Sequence, residues 1–120
     1  MRRLILAVCL AVVWGGCAEG KHFIVGGVGA LSCAKYAEMY RVDHIHTGQV
    51  FGAWMHGYIS AINTTRGDGV YSDMAAKTPE EMMQFLHKYC NDHPLGNFLD
   101  GVVELWKSLP FYKYEDDPRP

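Results

Sequence analysis

Thr78-Pro79-Glu80-Glu81-Met82-Met83-Gln84-Phe85-Leu86-His87-Lys88-Tyr89-Cys90 is the stretch that decides the fold. Threonine can cap a helix, proline suits its first position, and a glutamate three residues after the threonine can reach back to close a capping box. Met82, Phe85, Leu86, Tyr89 and Cys90 then recur at helical spacing and form one apolar stripe. The helix is expected to end near Asn91, because the residue before Pro94 avoids helical backbone.

Downstream, a fourth helix is expected to begin between Pro94 and Asn97 and to run to about Leu109, where Pro110 stops it. Its stripe is Leu95, Phe98, Leu99, Val102, Val103, Trp106 and Leu109. Residues 111–120 (FYKYEDDPRP) are acidic and proline-bearing, and read as a loose tail. Upstream, residues 63–77 read as a structureless connection. Arg66-Gly67-Asp68-Gly69 within it is turn chemistry rather than an integrin motif, and Asn63-Thr64-Thr65 is not taken as a glycosylation site.

A second helix is expected from Gly48 to about Ile62 behind Thr47 as N-cap. Val50, Phe51, Trp54, Met55, Tyr58, Ile59 and Ile62 cover more than half its circumference, which makes it central. Gly52 and Gly57 would let another helix approach. A first helix is expected from Cys33 to about Val42 behind Ser32, with Cys33, Tyr36, Ala37 and Tyr40 as its stripe. Residues 43–46 (DHIH) read as a polar connection. Four helical patterns and no convincing sheet define an all-α, four-helix domain.

Met1-Arg2-Arg3, the apolar run Leu4–Trp14 and Gly15-Gly16-Cys17-Ala18 have the three parts of a secretory signal peptide. The run is well short of the ~20 residues that span a bilayer. Acylation of Cys17 as a lipoprotein is the lesser alternative, since Trp14 stands where a branched aliphatic residue is needed. The domain plan is therefore a signal peptide at 1–18, an extended Gly-rich lead-in at 19–31, the helical domain at 32–110 and the tail at 111–120.

Cleavage removes Cys9 and Cys17 and leaves Cys33 and Cys90. Two cysteines in an exported protein should pair, closing a long loop worth roughly 4 kcal/mol. Cleavage also removes two of the 11 basic residues and none of the 13 acidic ones, so the formal charge falls from −2 to −4. That argues against nucleic acid as a partner. Protonating the six histidines in their ordinary range would turn −4 into +2.

No catalytic motif stands out. Ser60 lacks a nucleophile elbow. The glycines before Ala30 are not followed by Lys-Ser/Thr, so they are no phosphate loop. His44 and His46 could share a metal only on an extended loop, and His56, His87 and His93 add no metal-binding spacing. His87 is expected to face solvent. No metal or cofactor is assigned. Trp54, Tyr58 and Trp106 are expected in the core, or on a binding surface if exposed.

Ser32-Cys33-x-x-Tyr36, Trp54-x-x-Gly57-Tyr58-Ile59-Ser60-Ala61-x-Asn63 and Tyr89-Cys90-x-x-His93-Pro94-Leu95 resemble a group of small exported bacterial proteins. Over about residues 32–109 the layout is similar to the HdeA/HdeB acid-stress chaperones. The resemblance implies an HdeA-like fold, a periplasmic location, and binding of unfolded clients at low pH. A second resemblance is to the periplasmic immunity proteins of type VI secretion, which implies neutralisation of one toxin. The expectation is thus a non-catalytic periplasmic protein that binds protein partners and can pair into a homodimer. It has no integral membrane span, and a small enzyme is the remaining alternative.

Overall fold

The computed structural model describes residues 25–117 and Arg119. The signal peptide expected at 1–18, with Cys17, and residues 19–24 of the expected lead-in lie outside the described residues. Four helices dominate: α1 (Cys33–Val42), α2 (His44–Thr65), α3 (Pro79–Asp92) and α4 (Phe98–Ser108). Two short strands, β1 (Val70–Ser72) and β2 (Phe111–Lys113), pair antiparallel with Tyr71 opposite Tyr112. The all-α class therefore holds, with a small sheet appended.

The helix starts follow their capping residues. Ser32 Oγ accepts from the Lys35 N–H at 3.1 Å. Thr78 and Glu81 form the expected capping box: the Glu81 N–H donates to Thr78 Oγ1 at 3.2 Å, and the Thr78 N–H donates to Glu81 Oε2 at 2.7 Å. The Asp100 carboxylate reaches back to the Asn97 N–H at 3.3 Å.

Four segments depart from expectation. Residues 43–46 are not a connection: Asp43, rather than Thr47, caps α2 by accepting from the His46 N–H at 3.0 Å. Asp43 alone separates α1 from α2, and Thr47 is buried.

The stretch 63–77 holds β1 and a 3-10 turn, Met74–Ala76. The tail expected to be loose supplies β2. Asn63 explains both. Its carboxamide accepts from the Ser72 N–H at 2.9 Å and donates to the Ser72 carbonyl at 2.9 Å, fixing β1 to the end of α2. The Asp73 N–H then donates to the Pro110 carbonyl at 2.8 Å, and the Tyr114 N–H to that of Gly69 at 3.0 Å.

The described end of the lead-in is not wholly extended. Gly27–Ala30 form a 3-10 turn lying on Trp54. The Cys33 N–H donates to the Gly96 carbonyl at 2.9 Å, and the Phe98 N–H to that of Leu31 at 3.0 Å. The first helix is thereby tied to the entry of the last.

The core is continuous through Cys33, Tyr36, Phe51, Met55, Ile59, Met82, Leu86, Cys90, Phe98, Val102, Leu105 and Leu109. Tyr36, Phe51 and Phe98 meet with ring centres 4.7–5.2 Å apart, within the favourable range for aromatic pairs. Cys33 and Cys90 are bonded, joining the first turn of α1 to the last turn of α3. Gly101 brings α4 onto α3: a Cβ there would lie 2.7 Å from the Tyr89 ring.

Gly57 plays no such part, because a Cβ there would meet nothing within 4 Å. Leu95, placed in the α4 stripe by its spacing, lies before the helix in the 93–96 turn and is 100% exposed. Among the described residues no helix is long and apolar enough to cross a membrane.

Candidate functional site

The three aromatic residues singled out in the sequence do not form one surface. Trp54 and Tyr58 stack, ring centres 5.2 Å apart and planes 16° from parallel. Both are half-buried. The Trp54 indole N–H donates to the Gly26 carbonyl at 3.0 Å, so the 26–29 segment covers the ring. Trp106 is half-buried elsewhere, edge-on to Phe111 at 5.2 Å, with the Arg66 guanidinium 5.5 Å from its ring centre. Arg66 also holds Asp68 at 2.6 Å and keeps that carboxyl below its usual range. The Arg-Gly-Asp turn is thus self-paired.

The principal concavity lies on the other side of α2. It is a groove of about 820 Å³ between α2 and α3, with Tyr40 of α1 at one end. Small residues on α2 make the space: Gly48, Gly52 and Ala53 line it, and a Cβ on Gly52 would lie 3.5 Å from Met83 Sδ on α3. The floor is apolar, with Met55 and Met83, and exposed Ile45 extends it toward the α1–α2 corner. The rim carries His44, His56, His87, Gln49, Gln84 and Asn91.

Its two ends differ. At one, the Tyr40 ring lies 4.4 Å from His87 and 6.0 Å from His44. Beneath them the Tyr36 hydroxyl and His87 Nδ1 are buried without a hydrogen-bond partner among the described residues. Burial, with Tyr40 nearby, pushes the Tyr36 hydroxyl well above the usual tyrosine range. Lys88 and Asp92, also here, are paired with each other. α2 and α3 meet in the middle at Gly52 and Met83. Ala53 follows Gly52 on the wall, and one helical turn further on His56 stands with Pro79 and Glu80 at the second end.

His87 is therefore half-buried over Tyr36 and Tyr40 rather than turned to solvent. His44 and His46 lie in the first turn of α2, where residues two apart point to different sides of the helix. Only His44 reaches the groove. Among the described residues no group of three or more His, Cys, Asp or Glu side chains comes together as a metal site.

The groove was not singled out in the sequence. Its signal is the small residues Gly48 and Gly52, one turn apart on α2, with His44 and His56 a turn before and after. No family model, curated protein or solved structure matches the chain.

Proposed function

We propose that this protein is a non-catalytic binding protein of the periplasm that holds an apolar segment of a protein partner in the α2–α3 groove. The groove itself carries the reading. Its volume of about 820 Å³ and its methionine floor suit side chains of varied shape, because thioethers are flexible and polarizable. Two helices flanking a half-open apolar channel are the geometry of helix-in-groove recognition. The signal-peptide pattern at 1–18 and the Cys33–Cys90 bond support an oxidising compartment outside the cytoplasm.

The HdeA/HdeB resemblance makes an acid-stress chaperone the leading form of this function. One structural feature favours it over the immunity reading. The tail that closes over β1 is held by the Asp117 and Asp73 carboxylates on Arg119, contacts that strong acid removes.

The test is light scattering of an acid-denatured client at about pH 3, with wild-type protein and with Ala53→Trp. Ala53 is exposed on the groove wall, so the indole fills the channel without entering the core. Wild type should suppress aggregation and the variant should lose most of that effect. No suppression by wild type removes the chaperone form. Equal suppression by both removes the groove.

A further inference from the structure

Resting on the acid-chaperone form of that reading, we infer that β1 is a strand-accepting edge: the chain's own tail fills it at neutral pH, and in strong acid an extended apolar segment of an unfolded client takes the tail's place. The tail shows what the edge receives. The Asp73 N–H donates to the Pro110 carbonyl at 2.8 Å and the Tyr114 N–H to that of Gly69 at 3.0 Å, with Tyr71 paired to Tyr112 between them. Such bonds run through main chain and do not depend on side-chain identity. One side chain adds to them: Phe111 lies edge-on to Trp106 at 5.2 Å, with the Arg66 guanidinium 5.6 Å from its ring centre.

The tail is lightly seated. All three residues of β2 are exposed. What holds its far end is ionic: Arg119 donates to Asp117 at 3.0 Å and to Asp73 at 2.9 Å, and also to the Tyr71 hydroxyl. The other charged groups around it are Lys113 and Glu115, 3.8 Å apart within the tail, Asp116 beside them, and Arg66 with Asp68 at the end of α2. Every ion pair in this set includes a carboxylate, which strong acid protonates, so none then retains the tail.

β1 itself stays. Strand residues alternate in the edge to which they offer their main-chain groups. Tyr71 and Asp73 serve the tail, while Ser72 between them is bonded three times by the Asn63 carboxamide. Those three bonds involve no titratable group. A released tail therefore leaves a fixed strand with an open edge beside the Trp106 ring, and an open edge is a template for another extended chain. Acid weakens neither main-chain hydrogen bonds nor an aromatic contact, so the site works under the condition that opens it. On neutralisation the tail returns as an intramolecular competitor at high effective concentration and expels the client.

A peptide of residues 109–114 (LPFYKY), capped at both ends, carries no carboxyl and stands in for the client strand. Nuclear magnetic resonance titration of the mature protein should show it binding at about pH 3 at least about tenfold tighter than at neutral pH. The Tyr71 amide and the Trp106 indole N–H should move, and the Met83 amide in the groove should not. Arg119→Ala should bind the peptide at neutral pH too. Val70→Cys with Lys113→Cys, at positions that face each other across the two strands, should lock the tail down by a disulfide and abolish binding at either pH. Ala53→Trp should leave binding unchanged.

Undiminished binding to the locked protein would overturn the edge, and equal affinity of wild type in acid and at neutrality would overturn its control by the tail. No binding by wild type in acid or by Arg119→Ala at neutral pH would overturn both, while suppression of client aggregation through the groove would still stand. A dimer that forms in acid without peptide, and not when the tail is locked, would give the edge to the tail of a second copy and overturn the assignment to a client.

Discussion

Gly29 lies directly against the face of Trp54: a Cβ built on the glycine would fall 2.0 Å from the indole Cζ2 and 2.1 Å from Cη2. No side chain fits there, so the close approach of the lead-in to α2 requires glycine. Gly29→Ala should therefore displace the 26–30 segment and cost about 1–3 kcal/mol, the usual penalty of overpacking. Chemical denaturation gives the number, and a double-mutant cycle with Trp54→Leu gives the cause. In the leucine background the alanine should cost much less. An equal cost in both backgrounds would mean that Trp54 is not what excludes the Cβ.

That contact also marks where sequence reading stops. Helix α1 has the limits its pattern implies, and α3 and α4 come within a residue or two of theirs, because Ser32, Thr78, Asn97 and Pro110 are local signals that act on their own backbone. The Cys33–Cys90 bond was legible for a similar reason: once Cys9 and Cys17 are assigned to the expected leader, only one pairing remains. The strands were not legible. β1 and β2 have three residues each, and their pairing joins segments some forty residues apart. Asn63 reads as an ordinary helix-end residue until Ser72 is beside it. The groove was hidden for another reason. Apolar periodicity reports what a helix buries, whereas a groove consists of the small and polar residues left over when two helices diverge.

The disulfide should carry a large part of the domain's stability. Cys33 and Cys90 are both buried, and they connect helices that are distant in sequence. Replacing both by serine should cost about 2–5 kcal/mol in denaturant unfolding. Alkylation in denaturant without reductant should label neither Cys33 nor Cys90. Labelling of both would refute the bond.

Asn63 should be the residue on which the sheet depends. Its half-buried carboxamide makes three hydrogen bonds to Ser72: with the N–H, with the carbonyl, and with the hydroxyl at 3.0 Å. Asn63→Ala leaves these groups unpaired in a residue that is 1% exposed, at a cost of about 2–3 kcal/mol. Hydrogen exchange should locate the damage, with faster exchange at Ser72 and Tyr114 and little change in α3 and α4. Uniform acceleration over the whole chain would show that the sheet and the helices unfold as one unit.

Acid should act first on the tail. Asp117 accepts from the Arg119 guanidinium at 3.0 Å and from the Tyr71 hydroxyl. These two partners, Arg119 first, hold its carboxyl far below the usual range. Arg119 also binds Asp73 at 2.9 Å, so one guanidinium joins the tail to the end of β1. A carboxyl depressed in the folded state contributes stability that is fully present above its unfolded value, near 3.9. The contribution is lost as pH falls through the lower folded value. The clamp should therefore be constant from neutrality down to about pH 4 and weaken below it. Arg66–Asp68 and the Glu81 cap, whose carboxyls are also depressed, weaken in the same direction. The helical core has no such dependence, since its buried residues are apolar apart from Thr47 and Ser72 and the disulfide closes it covalently. Tyr71 stacks on Tyr114 at 5.0 Å, so near-ultraviolet circular dichroism of the tyrosines should change below pH 4 while far-ultraviolet helicity persists. Arg119→Ala should show the acid-like tyrosine signal already at neutral pH and respond little to further acid. Simultaneous loss of the two signals in wild type would show that acid unfolds the domain as a whole, and would remove the tail as the element that strong acid releases.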